Sequence, residues 1–158
     1  MKYLIVFFFL PFSLFSQATL EPIKKSNRVI IETTDDPEIA FNKLAKSFIL
    51  KGYTLKQLDS DLLIISTDER SFGNFAPYIV KISAMVESAE DGAKIILLGE
   101  FAQGSQIHWD DGTSLDLSNQ FQPIKYFGTK KSPMMKSWHN LLEVAQAYQT
   151  GKIKYSKQ

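Results

Sequence analysis

Apolar positions recur along this chain in three different ways. Tyr78–Glu87 has period two: Val80, Ile82, Ala84 and Val86 fall on one side, with Lys81, Ser83 and Glu87 on the other. That is the pattern of a half-buried antiparallel strand. Pro37–Lys51 has a period near 3.6, with Ala40, Phe41, Leu44, Ala45 and Phe48 on one stripe and Asn42, Lys43 and Lys46 elsewhere, and it predicts a helix. Ser132–Tyr148 predicts a second helix on the stripe Met135, Trp138, Leu141, Leu142, Ala145 and Tyr148. The third pattern has no period. Tyr3–Phe15 is almost wholly apolar, broken only by Pro11 and Ser13.

The flanking residues sharpen these elements. Asp35-Asp36-Pro37 offers an acidic N-cap and a proline for the first helical turn, and Ser132-Pro133 repeats the device. Gly52 closes the first helix, with Tyr53 placed to pack back on the last turn, and Gly151 ends the second. Arg28–Thr34 (RVIIETT) is β-branched and predicts a strand. Tyr53–Leu58 and Leu62–Thr67 flank Asp59-Ser60-Asp61 and predict a hairpin. Ser71–Pro77 predicts a connecting loop, Ser88–Gly92 a turn, and Ala93–Phe101 a return strand whose Ile95/Leu97 and Ile96/Leu98 sets oppose each other, so that both faces are covered. In Gly104–Gly128, Ile107–Trp109 and Leu115–Leu117 bracket the hairpin tip Asp110-Asp111-Gly112, and Phe121–Phe127 is aromatic and basic without clear period. The order β-α-β-β-β-β-(hairpin or irregular)-α predicts an α+β fold. It is an antiparallel sheet of about five or six strands with both helices packed on one face.

The N-terminus changes the picture most. Lys2, the apolar run, and small residues Ser16 and Ala18 have the layout of a secretory signal peptide. Cleavage after Ala18, with Ser16 at −3, fits better than cleavage after Ser16. The run is short of the roughly 20 residues a spanning helix needs, and Pro11 interrupts it, so no stable anchor is expected after processing. The predicted organisation is a signal peptide at 1–18, a polar leader at 19–27, one α+β domain at 28–150, and a basic flexible tail at 151–158.

Composition excludes several chemistries. The 158 residues include no cysteine, which removes disulfides, thiolate metal sites, a cysteine nucleophile and the lipid-modified cysteine of a bacterial lipoprotein. Loss of Lys2 with the leader balances the 18 basic and 17 acidic residues, so no nucleic-acid partner is expected. There is no nucleophile elbow, phosphate loop or zinc-protease motif. The two histidines, His108 and His139, lie in unlike contexts, and no metal or cofactor is expected.

The candidate ligand-binding residues are Trp109, Asp110, Asp111, Lys125 and Tyr126. Two carboxyls beside an aromatic ring are the equipment of a glycan hydrolase, which makes Asp110, Asp111 and Asp116 the carboxylates of an alternative, enzymatic reading; the competing reading is a hairpin turn that favours Asp-Gly. Lys125, Tyr126, Phe127, Lys130 and Lys131 offer basic and aromatic contacts, or else a loop that anchors an aromatic ring. The helical stripes Phe41/Phe48 and Met135/Trp138/Leu142 line either a core or a cavity for an apolar ligand.

The element order from Arg28 to Phe101, with the long helix at Ser132–Tyr148, resembles small envelope domains of unknown function with a TATA-box-binding-protein-like helix-on-sheet fold. The resemblance implies an interaction module and carries over no catalytic residue. The expectation is an exported, non-catalytic binding domain of the bacterial envelope, periplasmic or secreted, with a protein or envelope component as partner.

Overall fold

The computed structural model describes residues 21–73, 78–103, 106–108, 114–116, 120–128 and 132–157. The segment 1–18, predicted as a signal peptide, lies outside them. Alternation governs the first strand, β1 (Arg28–Thr33), which buries Val29, Ile31 and Thr33 on one side and half-buries Arg28, Ile30 and Glu32 on the other. Helix α1 (Pro37–Leu50) follows, burying Ala40, Phe41, Leu44, Ala45, Ser47 and Phe48. Its C-terminus closes as a Schellman motif: Gly52, at φ 76, donates to the Ile49 carbonyl, and Tyr53 donates to that of Phe48. The rings of Phe48 and Tyr53 then meet edge to face at 6.0 Å. Tyr53 thus packs back on the last turn as its place after Gly52 predicts.

β2 (Leu55–Asp59) and β3 (Ile64–Thr67) form the expected hairpin, with Asp59 accepting from the Asp61 and Leu62 amides at its tip. β4 (Arg70–Phe72) leads to two twelve-residue strands, β5 (Tyr78–Ala89) and β6 (Gly92–Gln103), which pair along their whole length. β7 (Gln106–His108) and β8 (Ser114–Asp116) form a separate antiparallel pair. β9 (Gln122–Pro123), α2 (Pro133–Ala147) and β10 (Lys152–Ser156) complete the chain.

The main sheet runs β10-β1-β6-β5-β3-β2, with β4 also on β5 and β9 also on β6, every pair antiparallel. α1 packs on β2, β5 and β6, α2 on β1, β5 and β6, and the helices touch each other, so both cover the same face. Between the layers lies one core, in which Leu44, Phe48, Ile95, Leu97, Trp138 and Leu141 are fully buried. The α+β class and the one-sided helices agree with the sequence pattern.

Three features differ from it. The sheet has eight strands rather than five or six, because β4, β9 and β10 are too short or too polar to show alternation. The predicted basic tail at 151–158 is not a frayed end: Lys152–Ser156 is an edge strand in register with β1, and the Lys154 ammonium lies 2.7 Å from Glu32. Gly151 permits this, since at φ 131 a side chain there would meet Ile31 and the Glu32 carbonyl. Third, Asp36 stands at the α1 N-cap without a side-chain capping bond, whereas Ser132 caps α2 by accepting from the Met135 amide at 3.2 Å.

Candidate functional site: the outer face of the sheet

With both helices on one face, the side chains that alternate away from the core form the outer face. Strand register places them in rows. One row reads Lys154 (β10), Ile30 (β1), Ile96 (β6), Met85 (β5), Ile64 (β3), Asp59 (β2), each directly opposite the next. Four large aliphatic residues on four adjacent strands therefore make an apolar stripe, bounded by a cation at one edge and an anion at the other. Ile96, at its centre, is 6% exposed, while Met85 is 39% exposed. Solvated faces of antiparallel sheets ordinarily present polar residues throughout.

The rows on either side are mostly polar. Glu32, Lys94 and Glu87 lie opposite one another in the row above, with Lys94 Nζ 3.1 Å from Glu87 Oε2. Below run Arg28, Leu98, Ser83 and Ser66, then Glu100 opposite Lys81. Lys81 Nζ lies 3.8 Å from Glu69, 3.9 Å from Glu100 and 3.4 Å from the centre of the Phe121 ring. A groove of about 270 Å³ crosses this part of the face, floored by small or polar residues including Gln57, Ser66 and Ser83. Its open shape suits surface contact rather than enclosure of a small molecule.

A perturbed carboxylate lies elsewhere. Asp35, between β1 and α1, accepts from the Tyr148 hydroxyl at 2.7 Å, from Thr33 at 3.2 Å and from Thr150 at 3.3 Å, and pairs with Lys43 at 2.6 Å. The Lys43 and Tyr148 hydrogen bonds hold its carboxyl near pKa 2, and burial with the Asp35 bond pushes the Tyr148 hydroxyl to about 12. Each polar atom here has its partner within the fold. The arrangement joins the β1–α1 corner to the α2–β10 corner, which is a structural task. Arg70 plays a similar part: its guanidinium donates to the Lys51 carbonyl at the end of α1 and lies over the rings of Tyr53 and Phe72 at 5.0 and 4.7 Å.

Of the residues singled out in the sequence, Trp109, Asp110 and Asp111 lie outside the described residues, as do Lys130 and Lys131. Asp116 stands opposite Gln106, and His108 opposite Ser114, in the β7–β8 pair. Tyr126 is half-buried, its ring 5.8 Å from Trp138, and its backbone exchanges hydrogen bonds with Ser26 and Lys25. Lys125 is half-buried beside it, its amide directed at the Met134 sulfur. Preceding them, Ile124 is fully buried over Gly99. The segment therefore serves to anchor the chain against α2. His139 is exposed on α2. Phe41, Phe48, Met135 and Trp138 belong to the close-packed core. No helix among the described residues is long and apolar enough to cross a membrane, and no group of three or more metal-ligating side chains occurs among them.

The outer-face stripe was missed by the sequence pattern taken strand by strand. Its signal is present in Met85, which breaks the polar side of Tyr78–Glu87, and in Ile96 and Leu98, which make both sides of β6 apolar. Only the register shows that these breaks, with Ile30 and Ile64, fall in line. No protein-family model matches the chain, and no curated protein matches its sequence.

Proposed function

We propose that this chain is an exported, non-catalytic binding module of the bacterial envelope that engages a macromolecular partner through the outer face of its sheet. The observation that carries the reading is the aligned stripe Ile30–Ile96–Met85–Ile64 on a face the helices leave open. A contiguous apolar strip rimmed by charge is the surface pattern of protein association. The N-terminal signal pattern supports export, and the absence of cysteine from the sequence fits a domain released without a lipid anchor.

A single reporter thiol tests this reading, because the native chain has none. Ser83→Cys, exposed at the centre of the face, is coupled to a short photo-crosslinker in intact cells, with Asn42→Cys on the solvent side of α1 as control. The expected result is a discrete adduct from position 83 and none from position 42. Absence of any adduct at position 83 contradicts the reading.

A further inference from the structure

The charge order on the outer face carries a more specific conclusion. Across the apolar row the sequence is Lys154, Ile30, Ile96, Met85, Ile64, Asp59: a cation, four aliphatics, an anion. Reversing this row about an axis parallel to the strands, between β6 and β5, lays it on itself. Lys154 then meets Asp59, Ile30 meets Ile64, and Ile96 meets Met85. The same operation acts on the neighbouring rows. Lys94 and Glu87 are opposite each other across β6 and β5, as are Glu100 and Lys81, so Lys94 falls on the copy's Glu87 and Lys81 on its Glu100, while Arg28 falls on the uncharged Ser66.

We propose that the outer face is an isologous interface: two copies of this chain pack sheet to sheet about that two-fold axis. The proposal rests on the reading of the outer face as the binding surface and names its occupant. A strongly acidic or basic partner would leave half of these charges opposed by their own sign, whereas a second copy pairs them by symmetry. Size agrees as well. Six strands about 4.8 Å apart, averaging about seven residues at roughly 3.3 Å per residue, present on the order of 700 Å², close to the roughly 800 Å² each partner contributes to a standard interface. Aligned sheets also pack about 10 Å apart with interdigitated side chains, to which the exposed Met85 and the half-buried Ile30 and Ile64 can contribute, over the buried Ile96.

Lys154 and Asp59 make the test decisive. They sit on β10 and β2, at opposite edges of the sheet, roughly 24 Å apart at the usual strand spacing, so any coupling between them acts across a dimer. The full coding sequence is expressed, and the purified protein is followed by sedimentation velocity across a dilution series. The expected result is a dimer that dissociates on dilution. Met85→Glu should weaken association more than about tenfold, the usual effect of a charge at a central contact, with an unchanged melting temperature at dilutions where both proteins are monomeric. Lys154→Glu should weaken it, and Lys154→Glu with Asp59→Lys should recover it. Ser83→Arg replaces Met85→Glu if the latter fails to fold. A wild-type chain that stays monomeric to about 100 μM, a range that includes ordinary self-association, overturns the proposal. So does a Met85→Glu dimer as tight as wild type, or a double charge reversal without recovery. A monomer in solution together with a position-83 adduct of another mass would reject the second copy and leave the binding reading standing; no adduct at all would reject both.

Discussion

Asp35 shows how one side chain can hold two corners of a fold. Its carboxylate gathers Lys43 from α1, Thr33 from β1, and Tyr148 and Thr150 from the link between α2 and β10. The sequence placed Asp35 beside a helix N-terminus and suggested capping; its hydroxyl donors come from as far as Thr150, and no local pattern reveals them. The pH dependence follows from the sign of the shift. Asp35 falls from 3.8 to about 2 in the fold, so its contribution is present above the ordinary value and is lost as pH drops toward 2. Tyr148 rises from 10.0 to about 12, so its contribution holds below 10 and is lost as pH climbs through about 12. Urea titrations at a series of pH values should therefore show Asp35→Asn with a flatter acid limb than wild type. Tyr148→Phe should flatten the alkaline limb. Unchanged limbs in both variants would remove Asp35 from this role.

The helix ends and the last strand are where element-scale reasoning is tested. Both helices begin with a polar residue followed by proline, yet only Ser132 makes a side-chain cap bond. Ser132→Ala should therefore cost about 1 kcal/mol of unfolding free energy, and Asp36→Ala only a few tenths, since the cap hydrogen bond is the larger part of the effect. Chemical denaturation of the two variants side by side checks this. β10 was illegible because an edge strand of alternating lysines looks like a polar tail until Glu32 and Tyr155 are placed. Its Tyr155 ring lies 6.0 Å from that of Trp138, and its backbone pairs with β1 over five residues. Gly151→Val, forced into a positive φ against Ile31 and the Glu32 carbonyl, should free the strand. Amide hydrogen exchange should then rise across Lys152–Ser156 and at its partners on β1, while β5 stays protected.

At the scale of the molecule, period and caps made the two layers legible. Buried stripes on α1 and α2 need one sheet face, and Val80, Ile82, Ala84 and Val86 supply it. Removing the centre of that core should be severe: Leu44→Ala, at a position with no exposed surface, should cost about 3 kcal/mol in denaturant unfolding. The outer face was not legible, because its meaning lies in register between strands that are distant in sequence. Ile30, Ile64, Met85 and Ile96 each look like an isolated exception until pairing aligns them. The other exposed aliphatics Ile39, Ile49 and Leu50 lie on α1, on the opposite side of the sheet from this row, and so provide an internal control. A methyl NMR dilution series therefore tests the central claim most directly. The methyl signals of Ile30, Ile64, Met85 and Ile96 should shift together with one concentration midpoint, while those of Ile39, Ile49 and Leu50 stay fixed. Concentration-independent signals from the outer-face row, or shifts confined to the other three, would contradict the account.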